Sequence, residues 1–151
     1  MDAITLLKDD HHTVEQLFKR FEQAGDRAHV QKRQIADRII EELSVHAAVE
    51  EQVFYPVARE TVPKTEKITL ESLEEHKQVK TLLREMENLT SDSEKFEPKL
   101  KVLMENIEHH AVEEEEKEMF PKIRKLMNAA ALEKLGQELE AAKTKDLRKA
   151  S

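Results

Sequence analysis

The chain has 151 residues, a formal net charge of −7, no cysteine, two glycines and four prolines. That length buries one modest core, and the lack of thiols excludes disulfides, Cys-ligated zinc, iron–sulfur clusters and thiol catalysis. The acidic balance argues against a phosphate-binding face.

Few turn-formers and abundant Glu, Lys, Leu and Ala predict helix nearly everywhere. The first helix, "AITLLKDDHHTVEQLFKRFEQAGD", gathers Leu7, Val14, Leu17, Phe18 and Phe21 on one side and stops at Gly25. A second, from Val30, carries Ile35, Ile39, Leu43, His46, Glu50 and Phe54 on a stripe, and Pro63 marks the turn that follows. The third covers Ile68 to Leu89, with Leu73, His76, Val79, Leu83 and Met86 inward. "TSDSEKFEP" supplies N-cap candidates for a fourth, through Leu100, Leu103, Ile107, His110 and Glu114. A last amphipathic piece, "AALEKLGQELEAAKTKDL", packs outside the bundle or extends the fourth helix, and the closing "KTKDLRKAS" reads as a solvated basic tail. Short connections between long helices imply antiparallel neighbours. The expected fold is all-α, an up-down-up-down four-helix bundle over residues 1–128 with a short C-terminal extra helix and tail over 129–151.

The two halves repeat. His11 is followed by Val14 and Leu17, as His76 is by Val79 and Leu82, and an acidic residue, Asp10 or Glu75, precedes each histidine. Leu43, His46 and Glu50 recur as Ile107, His110 and Glu114 with the same spacings. Residues four apart share a helix face, so each His-x-x-x-Glu pair lies on the stripe that carries the core leucines and isoleucines. An ionised glutamate buried there needs a cation or dense hydrogen bonding. Four histidines and two carboxylates converging from four helices suit first-row metals, and two ions bridged by the glutamates follow the logic of carboxylate-bridged di-iron bundles. H-E-x-x-H is absent, and no acidic residue lies three before His46, His76 or His110, so zincin and ferritin-type spacings do not apply. Singly, each such histidine is more often a hydrogen-bonded core residue, and each His-x-x-x-Glu a surface pair; the matched set carries the reading. His12, His29 and His109 are expected in solvent.

On the fourth helix the register through Leu103 and Ile107 selects His110 and Glu114. String alignment of "HAAVEE" with "HHAVEE" would choose His109 and Glu113, and Glu115 is the substitute if the helix is locally overwound. Pro56 and Pro121, each beside aromatic residues (Phe54 and Tyr55, or Phe120), either close one end of the bundle or end their helices.

"DHHTVEQLF", "HAAVEEQVFYP", "EEHKQV" and "EHHAVEEEEKEMFP" resemble, in order and across most of the chain, the four motifs of the hemerythrin-like (HHE cation-binding) family. The resemblance implies a bundle holding two non-haem iron ions, with His11, His46 and Glu50 serving one, His76, His110 and Glu114 the other, and both glutamates bridging. Oxygen-carrying members have a further histidine four residues from the third-helix ligand, where this chain has Lys80 and Ser72. Fewer protein ligands leave open coordination positions, as metal chemistry requires. Three functions are therefore expected, in this order: binding of O2, NO or peroxide for storage, sensing or stress response; an oxidoreductase removing peroxide or nitric oxide; and an iron-responsive interaction module. A metal- and oxygen-binding protein is favoured over an enzyme. No apolar run approaches a membrane span and "MDAITLLKDDHH" lacks a basic n-region, so a cytoplasmic protein is expected, without a membrane or nucleic-acid partner.

Overall fold

The computed structural model describes the backbone of residues 1–150 and the side chains of residues 1–147; Ser151, the end of the expected basic tail, lies outside the described residues. Those residues are all-helical, without a strand. Helix α1 (Ala3–Gln23) starts at Asp2, whose carboxylate accepts the Thr5 amide at 2.9 Å, so a buried helix end has a partner for one of its free donors. Helix α2 (His29–Val49) runs without a break through a π-helical segment, Glu50–Phe54, into α3 (Tyr55–Thr61). After the single 3-10 turn at Pro63–Thr65 comes α4 (Glu66–Glu87). Helix α5 (Phe96–Glu108) passes likewise through a longer π segment, His109–Met119, into α6 (Phe120–Leu126). The expected side-chain N-cap for α5 is not made: Lys95 occupies the cap position, and Ser93 Oγ accepts only the nearby Lys95 amide.

Helix α1 packs on α2 and α4 on α5, with α2 also against α4, so each half is an antiparallel pair. Along every rod the apolar stripe is interrupted once by polar residues. On α1, Ile4 and Leu7 precede Asp10 and His11, and Val14, Leu17, Phe18 and Phe21 follow. Two apolar clusters result, one around Phe54, Phe120 and Ile123 and the other around Ile39, Met86, Phe96 and Leu103. Between them lies a buried layer of His46, Glu50, His76, His110 and Glu115. The apolar clusters seal this layer above and below.

The C-terminal segment does not extend α6. Met127 is extended, the Asn128 side chain accepts the Ala131 amide at 2.8 Å, and a separate helix, α7 (Ala129–Ala150), turns back across α1, α2 and the first π segment. Its Leu132, Leu135 and Leu139 are buried in the first apolar cluster. "KTKDLRKA" is therefore helix rather than loose tail. Among the described residues no helix is long and apolar enough to cross a membrane.

Candidate metal centre

The four inward histidines lie on four different rods and turn the same edge to the centre. His11 Nε2 is 3.2 Å from Glu115 Oε1, His46 Nε2 is 3.1 Å from Glu50 Oε1, and His76 Nε2 is 3.2 Å from the same Glu50 oxygen. His110 Nε2 lies 3.0 Å from His76 Nε2 and 3.5 Å from Glu115 Oε1. Two groups of potential ligand atoms follow: His11, His46, Glu50 and Glu115 in one, Glu50, His76 and His110 in the other, with Glu50 common to both.

On the outer edge each ring is held by a carboxylate. His11 Nδ1 faces Glu116 at 2.8 Å, His46 Nδ1 faces Asp10 at 3.0 Å, His76 Nδ1 faces Glu51 at 2.9 Å, and His110 Nδ1 faces Glu75 at 3.0 Å. A carboxylate only accepts, so Nδ1 carries the proton and Nε2 is the nitrogen available to a cation. The pairing follows the repeat. The acid before each first-helix histidine (Asp10, Glu75) holds the histidine on the second helix of its own half. The acid after each central glutamate (Glu51, Glu116) holds the first-helix histidine of the other half.

The residues fit a metal. His11 Nε2, His46 Nε2, both Glu50 oxygens and Glu115 Oε1 are buried without a hydrogen-bond partner, although all but Glu50 Oε2 have a polar neighbour within 3.2 Å. Buried polar atoms are rarely left so, and several aimed at one point mark a place for a cation. Without an ion the cluster balances its charges with protons. Burial alone would lower His46, but the Glu50 charge and Asp10 raise it to about 10. His110 is also raised, the Glu115 charge overcoming burial. Glu50, which burial would raise, is held well below the usual carboxylate range chiefly by His46, whereas burial and the Glu50 charge push Glu115 up. The imidazoliums thus stand where cations would compensate the two carboxylates.

The fourth-helix glutamate differs from the one selected by register. Glu114 lies at the outer edge of the His110 ring, 3.6 Å from its Nδ1, in a separate and more exposed group of potential ligands with Glu75 and His109, while Glu115 is fully buried in the centre. The reason is the π segment, which is wider than an α-helix rather than overwound, so His110 shares a face with the residue five on. A helix of 3.6 residues per turn places i+4 there instead. The other five expected residues, His11, His46, Glu50, His76 and His110, come together, and His12, His29 and His109 are exposed.

Sequence reasoning placed Tyr55 at the closed end of the bundle and gave its hydroxyl no role. Its buried hydroxyl donates to Glu115 Oε2 at 3.0 Å and lies 3.2 Å from His110 Nε2 and 3.3 Å from His76 Nε2. Burial, then the Glu115 and Glu50 charges, raise its pKa well above the ordinary value, so it stays a proton donor. The prolines offered a signal for both residues: six positions before Pro56 and Pro121 stand Glu50 and Glu115, and one before stand Tyr55 and Phe120. In each half the amide of that aromatic residue donates to the carbonyl of the glutamate five back, ending the π segment. Phe120 stacks on His11 at a ring separation of 6.1 Å, where Tyr55 tilts over His76 at 5.4 Å.

The hemerythrin HHE cation binding domain matches residues 2–123. The chain belongs to that family. Its fold is shared by a hemerythrin HHE cation binding domain-containing protein from Mycobacterium kansasii, with a TM-score of 0.81, 23% identity, and 97% of this chain and 87% of that one covered. A curated relative from Nostoc sp., a DNA nickase, is 28% identical over 145 residues, which are 96% of this chain. The chain spans only 40% of that relative's length. As a member of the HHE family this is a helical cation-binding domain, and its His/Glu clusters are suited to hold the metal.

Proposed function

We propose that the chain is a non-haem di-iron protein whose centre binds dioxygen or a related small oxidant such as nitric oxide or peroxide. The observation that carries this reading is Glu50, a buried carboxylate whose Oε1 lies 3.1 Å from His46 Nε2 and 3.2 Å from His76 Nε2, so that one residue serves both ligand groups. His11, His46, Glu50 and Glu115 would hold one ion, and Glu50, His76 and His110 the other, with Glu115 also 3.5 Å from His110. Iron bound there would supply electrons to an oxidant, and imidazole and carboxylate ligands tolerate both its oxidation states. The chain's own residues do the rest. Asp10, Glu51, Glu75 and Glu116 orient the four rings, and Phe54 and Phe120 exclude water from one side. A cavity of about 20 Å³ touches His11, His46 and His110 between Val14, Leu43, Ile107 and Ala111, room for one water-sized molecule. A groove of about 430 Å³ shares His11, Ile107 and Ala111 with it and opens between α1 and α5, offering a path inward.

Loading with Fe(II) without oxygen and then admitting air tests the reading. Two irons per chain and a new visible absorption band are expected; full iron occupancy with an unchanged spectrum would overturn it. Tyr55 favours a second reading, an oxidoreductase removing peroxide or nitric oxide, because its hydroxyl places a proton beside Glu115, His76 and His110. Repeated turnover lost in His110→Ala would support it, and a single stoichiometric oxidation would exclude it. Nicking is named for a relative much longer than this chain, and a net charge of −7 gives little affinity for a polyanion. The shared part is accordingly read as the metal module, working in the cytoplasm without a nucleic-acid or membrane partner. Cleavage of supercoiled plasmid by the iron-loaded chain would refute the first of those exclusions.

A further inference from the structure

The matched family region ends at residue 123, yet a residue beyond it reaches the centre. Lys143 of α7 donates from Nζ to Asp10 Oδ1 at 2.6 Å, and the other oxygen of the same carboxylate accepts His46 Nδ1–H at 3.0 Å. Of the four carboxylates behind the histidines, Asp10 is the most buried, its side chain 11% exposed against 24–28% for Glu75, Glu51 and Glu116. A carboxylate that poorly hydrated needs a fixed positive neighbour to remain ionised and correctly turned. Lys143 is that neighbour, since it holds one Asp10 oxygen while His46 holds the other.

The position of Lys143 is set by packing. Gly136 lies two helical turns earlier on the same face of α7, and a Cβ there would come 2.1 Å from the Met1 carbonyl oxygen and 3.0 Å from the Ala3 amide nitrogen. Only glycine allows α7 this close to the start of α1. Glu133 adds a contact to the Met1 ammonium at 2.9 Å, and Leu132, Leu135 and Leu139 bury the intervening face. Helix α7 is thereby anchored one side of the centre and presents its lysine to it.

We propose that α7 is a working part of the metal centre, with Lys143 acting through Asp10 as the positioning residue that fixes His46 in the ligand group of His11, His46, Glu50 and Glu115. This rests on the reading of those residues as metal ligands. Helix α7 packs against the first half, so its influence falls on that group and leaves His76 and His110 to Glu51 and Glu75. Undocking α7, or neutralising Lys143, would weaken one ion of the two.

The test compares the full chain with Lys143→Met, which keeps the stem and removes the charge, and with Lys143→Arg. Anaerobic Co(II) titration, read by visible absorption, should give two equivalents in the parent. In Lys143→Met one equivalent should weaken by about 10-fold or more, the scale for losing an outer partner of a ligating histidine, with the other unchanged. Lys143→Arg should recover most of the loss. In the metal-free protein, the His46 Nδ1–H resonance should broaden or shift in Lys143→Met and persist in Lys143→Arg, with the His110 resonance unmoved in both. Two unaltered equivalents in Lys143→Met, or equal weakening of both, would overturn the role of α7. A parent chain that takes up no Co(II) would instead overturn the metal-centre reading on which it stands.

Discussion

The two halves of the bundle are built from one pattern and finished differently. The first hairpin carries Asp10-His11 on α1 and His46, Glu50, Tyr55 and Pro56 on its second rod; the other carries Glu75-His76 on α4 and His110, Glu115, Phe120 and Pro121. One residue more separates histidine from glutamate in the second half, and the π segment is correspondingly longer, eleven residues against five. The chain absorbs the extra residue by widening the helix, so that glutamate, aromatic and proline keep their mutual spacing. What matters at the centre is where a side chain points, and an insertion is tolerated where a π turn can restore that direction.

The largest effect should separate the glutamates. Glu50→Ala removes the carboxylate common to both groups, and metal analysis should find less than one bound ion per chain. Glu115→Ala should cost chiefly the ion at His11 and His46, while Glu114→Ala, outside the π-set face, should retain both. Equal losses in the Glu114 and Glu115 variants would mean that the widened segment does not decide the ligand. Removing metal is the next largest perturbation. Ligands from four rods exist together only in the folded chain, so a metal at a thousand times its dissociation constant adds about 4 kcal/mol. For a chain of this size that is a fall in melting temperature of roughly 10 °C on chelation. An unchanged melting curve would show that the protonated cluster alone already secures the bundle.

How much of this was legible in the chain depended on which property each residue expressed. Long amphipathic rods, the paired halves and the meeting of His11, His46, Glu50, His76 and His110 at one place follow from face and period, because α1, α2, α4 and α5 keep the α-helical repeat up to or close to their histidines. Glu114 was misplaced because periodicity presumes a constant helix, and the departure to π geometry occurs between the histidine and the glutamate themselves. Tyr55 was read only as a possible lid, since nothing in an apolar stripe announces that a hydroxyl will meet a carboxylate of another rod. Lys143 looked like part of a solvated tail. Its partner is 133 residues away, and such a contact follows from the docking of α7 rather than from any local pattern.

A smaller effect concerns what the first half has and the second lacks, the covering helix. Gly136→Ala should push α7 away from Met1 and Ala3, destabilising the fold by about 1–3 kcal/mol as overpacking does. Thermal unfolding should register this as a drop of several degrees, with the Co(II) equivalent at His46 weakened in parallel. A stable variant with unaltered melting would mean that the close approach is easily relieved.

The smallest expected change makes the halves alike. Tyr55→Phe keeps the ring over His76 and deletes the hydroxyl, giving the first half the residue that Phe120 already supplies to the second. The ring fills the same space, so the loss is confined to the hydroxyl's hydrogen bond to Glu115 and its contacts with His76 and His110, a net effect of about 1 kcal/mol per hydrogen bond. Both ions should remain, because the substitution leaves every His and Glu ligand atom of the two groups in place. Glu115, however, loses the donor at Oε2 that restrains one of its oxygens, and its charge is then balanced by histidine or metal alone. The visible spectrum of the air-exposed iron protein should shift and the rate of its appearance should change, while metal content and melting temperature stay near those of the parent. If the spectrum and the rate are both unaltered, the hydroxyl only fills hydrogen-bonding capacity in the core. The asymmetry between Tyr55 and Phe120 would then be without consequence for the chemistry.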